Sequence, residues 1–205
     1  MTRMSADACC PRCWSPVRAP GLMTSDWHCS EHGPVPPWLR SGLAALPQVT
    51  ARARVPVWAP LPLLPGWTLT GVGTAGDERS GAVATVLALA GPSPLGGPAD
   101  LLLVAEEPGV GLGAHLAGGD GHGAPTGVPD AKIEVAGHPT ALWSCPSAQD
   151  RVAFVGEAGG VWLYAVLWPP AAELVLLDHV VLHDLRHERH DNLELPHGAP
   201  TTRLP

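Results

Sequence analysis

The sequence contains very little lysine. Lys132 is its only lysine, so the cationic side chains are otherwise arginines, and the net charge is −7. Residues 1–55 carry six arginines against three acids, a balance of +3, which leaves −10 for residues 56–205. Binding to a phosphate backbone needs clustered cations, because much of the affinity comes from released counterions. The charge distribution therefore argues against nucleic acid as a partner.

Long apolar runs are also missing. A helix that crosses a bilayer needs roughly 20 consecutive apolar residues, and the longest runs, such as residues 161–168, are much shorter. The first ten residues contain no apolar stretch of the kind found in signal peptides. These features predict a cytoplasmic protein without a membrane partner. Because thiols stay reduced in the cytoplasm, we interpret the cysteines as metal ligands rather than as disulfides.

Two short motifs near the N-terminus have the spacing of zinc knuckles. Cys10-Pro-Arg-Cys13 and Cys29-Ser-Glu-His32 each place two donors three positions apart, and fifteen residues separate the pairs. Each knuckle turn directs two donors at one point, and two such turns complete a tetrahedron. The sequence therefore predicts that Cys10, Cys13, Cys29 and His32 bind one Zn²⁺ ion in a small zinc ribbon.

Two further donors, Cys9 and His28, lie beside the predicted ligands. Cys9 fits less well, because its pairing with Cys13 gives C-x₃-C instead of the usual spacing, and we interpret both residues as spares. Four protein ligands leave no position for water, so the predicted zinc is structural. The alternative is a set of reduced, buried thiols without a metal.

The composition changes along the chain and suggests four parts. Residues 1–35 form the predicted zinc ribbon. Residues 36–65 are rich in proline, which fixes φ and donates no hydrogen bond, and they are predicted to form an extended connector. Residues 66–190 are predicted to form the main domain, and residues 191–205 a flexible tail.

The main domain reads as a series of short strands separated by glycine and proline. These strands lack the helices of 10–15 residues that a parallel sheet needs for its crossovers, so we predict an α+β fold, an antiparallel sheet with few short helices. Two adjacent pairs, 132–136 with 140–144 and 152–155 with 161–168, are predicted hairpins. The other predicted strands are 67–72, 83–90, 101–106 and 174–182, and a short helix is expected at 110–116.

Polar residues at the ends of several predicted strands could converge at one edge of the sheet. Such loop positions often carry function. Two interpretations remain open for this group, a salt-bridged edge or part of a small pocket. The residues are Asp77, Arg79, Glu106, Glu107 and Glu157.

Several distinctive stretches occur along the chain in a fixed order. They include Cys10-Pro-Arg-Cys13, Trp27-His-Cys-Ser-Glu-His-Gly33, Leu64-Pro-Gly-Trp67, Leu101-Leu-Leu-Val-Ala-Glu-Glu107 and Trp162-Leu-Tyr-Ala-Val-Leu-Trp-Pro169. Together they resemble an uncharacterised family of about 200 residues from GC-rich actinobacteria. The resemblance covers most of residues 9–186 and implies that the zinc ribbon is a family feature, but it implies no established activity. Some members carry a phosphotransacetylase label, but this short chain, poor in lysine, offers no acyl-phosphate or coenzyme A site.

Two classes of function remain after these exclusions. The first is a non-catalytic interaction or regulatory protein, whose ribbon binds a protein partner. The second is a small enzyme that handles an acyl or phosphoryl group in a pocket near Asp77, Arg79, Glu106 and Glu107. We favour the first, because no nucleophile–base pair, open metal site or phosphate-binding loop can be assembled from the sequence. A nucleic-acid-binding ribbon ranks third and depends on the +3 balance of residues 1–55.

Overall fold

A computed structural model describes residues 8–22, 24–119, 127–177, 180–188 and 195–204. Strands predominate in it, with two short α-helices, α1 (Leu46–Arg52) and α2 (Leu112–Ala117), and 3₁₀ helices at Leu43–Ala45 and Pro170–Leu177. None of the described helices is long and apolar enough to span a membrane. The strands are β1 (His28–Cys29), β2 (Gly33–Pro34), β3 (Trp38–Ser41), β4 (Trp58–Pro60), β5 (Thr68–Asp77), β6 (Gly81–Pro92), β7 (Pro98–Glu106), β8 (Ala131–Val135), β9 (His138–Cys145), β10 (Val152–Ala158), β11 (Val161–Trp168) and β12 (Val181–Asp184).

Ten of these strands form one sheet in the order β3-β5-β6-β7-β11-β10-β9-β8-β12-β4, and β1 and β2 form a separate ladder. Within the described residues, neighbouring strands are antiparallel except for β8 and β12, which are parallel. The expectation of a largely antiparallel sheet with few short helices is therefore confirmed. Both predicted hairpins are present, as β8–β9 and β10–β11.

The predicted strand over 174–182 is wrong in its first half. Residues Pro170–Leu177 form a 3₁₀ helix, and the strand begins only at Val181. Residues 174–177 are a continuous apolar run rather than an alternating one, a pattern that does not distinguish a buried strand from a buried helix. The helix buries Ala172, Val175 and Leu176.

Apolar side chains cover both faces of the central strands, and each face has its own core. The first core lies on the face where β4, β8, β12, α1 and the second 3₁₀ helix pack, and it includes Leu69, Leu87, Leu101 and Leu163. The second core lies on the opposite face beneath α2, and it includes Val86, Leu102, Val104 and Val166. Burial on both faces explains why these strands are almost continuously apolar.

The expected connector, residues 36–65, differs from an extended linker. It contains α1 and contributes β3 and β4, the two strands at the ends of the sheet order. Prolines are compatible with such positions, because an edge strand leaves some N–H groups unpaired. Trp38 of β3 is 1% exposed and its ring lies over Gly73, where a Cβ atom would come within 2.2 Å of the ring. The boundary at residue 66 therefore does not separate the connector from the domain.

The described part of the expected flexible tail, residues 195–204, is packed against the sheet. Leu69 donates to the Pro196 carbonyl and Gly198 donates to the Leu69 carbonyl, at 2.8 and 2.7 Å. Leu204 is 1% exposed and belongs to the second core. Residues 191–194 and 205 lie outside the described residues. Leu204 and these backbone hydrogen bonds together anchor the segment, which the composition did not reveal.

Two arginines fix this C-terminal segment. Arg40 of β3 donates to the carbonyls of Leu204 and Thr201 at 3.0 and 2.7 Å. Arg203 donates to Asp100 at 2.9 Å, and its guanidinium lies 5.0 Å from the centre of the Trp168 ring.

We predict that Arg40→Ala lowers the free energy of unfolding by about 1–3 kcal/mol, because hydrogen bonds from a charged donor contribute that much. Arg52→Ala is the matched control, since Arg52 is also exposed and should change stability by less than about 0.5 kcal/mol. Urea unfolding of the three proteins measures the difference. Equal stabilities for Arg40→Ala and the wild type would show that the segment is not held by Arg40.

Candidate metal centre

The first knuckle is a tight turn closed by backbone hydrogen bonds. Trp14 and Cys13 donate to the Cys10 carbonyl at 2.9 and 3.4 Å, and the N–H of Arg12 points at the Cys10 sulfur, 3.4 Å away. Trp14 adopts a positive φ of 57°, which is uncommon outside glycine. The turn directs Cys10 and Cys13 to the same side.

The second knuckle is the turn between β1 and β2. Cys29 pairs with Gly33, whose φ of 70° favours glycine. Val35 donates to the Trp27 carbonyl at 3.0 Å and extends the ladder. The turn therefore brings the imidazole of His32 back beside the Cys29 sulfur.

The two turns bring the four predicted donors together. The donor atoms of Cys10, Cys13, Cys29 and His32 all lie within 4.8 Å of one another. The Cys13 and Cys29 sulfurs are 3.7 Å apart, and the His32 Nδ1 lies 3.6 and 3.7 Å from the sulfurs of Cys10 and Cys29. A disulfide bond is about 2.05 Å long, so these thiols are free. The four residues are close enough to bind a single metal ion, whereas the spares Cys9 and His28 are not part of this group.

Burial and backbone N–H groups act in opposite directions on the thiols of the cluster. Cys10 and Cys29 have no exposed surface, and burial raises the pKa of the Cys10 thiol to about 12. Burial also acts on Cys29, but the N–H groups of Glu31 and His32 outweigh it and lower the pKa of that thiol. A bound cation supplies the charge that converts such buried thiols to thiolates. The cluster therefore fits a cation chemically as well as geometrically.

The Cys-rich segment, which we define as residues 8–35, is attached to the main sheet and to α2. Cys9 and Trp38 exchange both backbone hydrogen bonds, at 3.3 and 2.7 Å. The ring of Trp14 lies 5.6 Å from that of Trp38 and 4.8 Å from the imidazole of His115 on α2. Arg12 donates to the carbonyl of Val110 at 3.0 Å and to that of Gly109. The knuckle spacing gave no indication of these contacts, since Arg12 and Trp14 are simply the residues within and after the C-x₂-C motif.

The five candidate pocket residues lie at one end of the sheet, but the described contacts assign them separate roles. Asp77 closes the β5–β6 turn by accepting from the N–H groups of Arg79 and Ser80 at 2.9 and 2.8 Å. Glu107 forms an ion pair with Arg54 at 3.2 Å. The side chains of Arg79 and Glu157 are exposed.

Glu106 differs from the others because it is buried, with 2% of its surface exposed. Its Oε2 accepts from the N–H groups of Leu112 and Gly113 at 2.7 and 3.1 Å and so caps the start of α2. Burial raises the pKa of Glu106 to about 7, even though these bonds favour the charged form. The sequence placed Glu106 at a strand end but did not show that a helix covers it.

An open cleft of about 1490 Å³ lies beside β3, between α1, β5 and the C-terminal segment. Asp77 lines it, whereas Arg79, Glu106, Glu107 and Glu157 do not. The predicted group is therefore not gathered around this cleft. The cleft was missed from the sequence because its walls combine residues of the connector, β5 and the tail, which are distant from one another in sequence.

The chain belongs to a family described as a family of unknown function (DUF6758), whose model matches residues 4–204. This match spans nearly the whole chain and agrees with the resemblance to an uncharacterised family of this length. No curated protein and no solved structure matches the chain.

We predict that Glu106 makes the protein less stable as the pH rises from about 4.5 to 7. The unfolded chain loses the proton near pH 4.5, whereas the folded chain keeps it until about pH 7, so deprotonation favours unfolding in this window. The loss amounts to about 3 kcal/mol. Glu106→Gln keeps an acceptor oxygen for Leu112 and Gly113 but cannot ionise.

The measurement is urea unfolding of the wild type and Glu106→Gln at pH 5 and pH 8. We expect the variant to gain stability relative to the wild type between the two pH values, because contributions from all other groups cancel in the comparison. Parallel pH profiles would show that Glu106 does not titrate in this range.

Proposed function

We propose that Cys10, Cys13, Cys29 and His32 bind one structural Zn²⁺ ion, and that the protein acts in the cytoplasm by binding a protein partner through its Cys-rich segment. The observation that carries the proposal is the cluster of four donor atoms within 4.8 Å. A metal centre with thiolate ligands fits the cytoplasm, where thiols stay reduced.

The donor set and its spacing support zinc. Tetrahedral zinc with bonds of about 2.0–2.3 Å separates its ligand atoms by roughly 3.3–3.8 Å. Three of the six distances between donor atoms, 3.7 Å between sulfurs and 3.6 and 3.7 Å between sulfur and nitrogen, lie within this interval, and all six are within 4.8 Å. Three thiolates and one imidazole form a common set for structural zinc, whereas Mg²⁺ and Ca²⁺ prefer oxygen ligands.

The closed geometry supports a structural role for the ion. A catalytic zinc keeps one coordination position for water or substrate, and here four protein donors fill the tetrahedron. Cys10 and Cys29 are fully buried, which limits access from solvent. An ion held in this way orders the two knuckles and the segment between them.

A hairpin between the knuckles offers the surface for a partner. Arg18 and His28 exchange backbone hydrogen bonds at its base, and Gly21 and Thr24 pair near its tip. Leu22 lies at the tip and is fully exposed. Trp14, by contrast, packs inward against Trp38 and His115, so it is not available to a partner. We therefore assign the contact to the hairpin tip.

We predict that the purified protein carries about one zinc ion per chain, because one tetrahedral set of donors is present. Cys13→Ser should lose the ion, since a hydroxyl is a poor ligand for zinc in such a site. Cys9→Ser is the matched control and should retain it, because Cys9 lies outside the cluster. Elemental analysis of the three proteins measures the content. Zinc-free wild type, or stoichiometric zinc in Cys13→Ser, would contradict the assignment.

We also predict that Leu22→Asp weakens partner binding by roughly thirtyfold without changing zinc content or stability. Truncating a hot-spot residue of an interface costs about 2 kcal/mol or more, which corresponds to that loss of affinity. Leu95→Asp is the control, because Leu95 is also exposed but lies far along the chain in the β6–β7 turn. Quantitative affinity capture with the three proteins tests the idea. Equal capture of the same proteins by Leu22→Asp and by the wild type would rule out the hairpin tip.

A further inference from the structure

Residues 109–117, which we call the α2 segment, cover the second core. Val110, Leu112, Leu116 and Ala117 all belong to that core. Among the described residues, α2 is the only helix that contributes to it. A helix of six residues is too short to be stable by itself. Its position must therefore depend on contacts with other parts of the molecule.

The α2 segment is anchored on one side by the sheet beneath it, through residues of β7 and β11. Glu106 accepts from Leu112 and Gly113, and the ring of Tyr164 lies under Gly113, where a Cβ atom would come within 2.1 Å of it. These contacts hold the first turn of the helix. Its last turn is held by Arg151, which donates to the Leu116 carbonyl at 2.8 Å, and by Ala148, which donates to the Ala117 carbonyl at 2.9 Å. None of these contacts involves the carbonyls of Gly109 and Val110, which precede the helix.

Arg12 of the Cys-rich segment anchors the same segment independently of the sheet. Its Nε donates to the Val110 carbonyl at 3.0 Å, and a second nitrogen donates to the Gly109 carbonyl. The side chain lies along Gly111, where an added Cβ atom would be 3.1 Å from the Arg12 Cγ. Gly111 also has a φ of 82°, so both its backbone conformation and the close approach of Arg12 favour glycine at this position.

Trp14 contacts the segment one turn further on. Its ring packs edge-on against His115 at 4.8 Å, in the middle of α2. Arg12 and Trp14 thus hold the segment at two points, before the helix and within it. Both contacts come from the Cys-rich segment.

The positions of Arg12 and Trp14 depend on the first knuckle. Arg12 stands between Cys10 and Cys13, and its N–H points at the Cys10 sulfur. Trp14 follows Cys13, and its N–H donates to the Cys10 carbonyl at 2.9 Å. An ion bound to both sulfurs would fix this turn, because it ties Cys10 and Cys13 to Cys29 and His32.

We infer that the metal centre controls the packing of residues 109–117 over the second core. Binding of the ion fixes the positions of Arg12 and Trp14, and these two side chains in turn hold the segment. This inference rests on the proposed metal site. With the ion bound, the knuckle presents both side chains and the α2 segment is closed. Without it, the knuckle loosens and the contacts of Arg12 and Trp14 are lost. Residues 109–111 and the middle of α2 then loosen, while Glu106 still holds the first turn and Arg151 and Ala148 still hold the last. This loosening exposes apolar surface of the second core in a metal-dependent way.

Hydrogen exchange of the full chain, followed by mass spectrometry, tests the inference. The samples are the protein as purified, the protein after metal chelation, Arg12→Ala, and the matched control Arg18→Ala. Arg18 is an exposed arginine of the same segment without a side-chain contact to α2 in the described part of the chain. The metal content of every sample is measured alongside.

We expect chelation and Arg12→Ala each to speed exchange in residues 109–117 by roughly tenfold or more, because two hydrogen bonds from a charged donor are lost. Exchange in β7 and β11 should stay unchanged, and Arg12→Ala and Arg18→Ala should both keep their metal. Returning Zn²⁺ to the chelated protein should restore protection in proportion to the ion bound.

Three results would overturn the inference. Unchanged exchange of residues 109–117 in Arg12→Ala would show that Arg12 does not hold the segment. Unchanged exchange after verified removal of the ion would show that the metal does not control it. Faster exchange throughout the sheet after chelation would show that the ion supports the whole fold instead. A wild type without metal contradicts the proposed zinc site itself, and the metal analysis identifies that case separately.

Discussion

The structure depends on one constraint, which is that its central sheet is apolar on both faces. In β6, β7 and β11 most residues are buried, including those on successive positions that point to opposite faces. Burial of this surface is the main favourable contribution to folding, at roughly 25 cal/mol per Å². Yet the described residues contain only two short α-helices. Both faces must therefore be covered largely by other means.

The two faces are covered in different ways. On the first, the sheet order itself continues through β8, β12 and β4, and α1 and the second 3₁₀ helix fill the remaining space. On the second, the cover is assembled from separate pieces, namely α2, Trp38 with Trp14 beside it, and Leu204 near the chain end. The Cys-rich segment is thus part of the cover of a core. This arrangement places the donor cluster within reach of α2.

The parts that could be predicted from the sequence are those encoded by local patterns. The β8–β9 and β10–β11 hairpins follow from apolar runs separated by glycine, and the donor cluster follows from two spacings. The roles of residues 36–65 and 195–204 could not be predicted, because they depend on pairing with β5 and on contacts such as that of Arg40 with Thr201. The same applies to Glu106, which is defined by the helix above it rather than by its neighbours in sequence.

The size of the chain bears on what a metal ion can do in it. Small domains need metals or disulfides because they bury too little surface, but a chain of 205 residues with two apolar cores does not have this limitation. The free energy of binding the proposed ion would then be available for ordering one region. That region is the Cys-rich segment, whose own core consists of Cys10, Cys29 and Val35. Because this core is so small, the proposed ion would order Arg12 and Trp14 where the apolar packing is weakest.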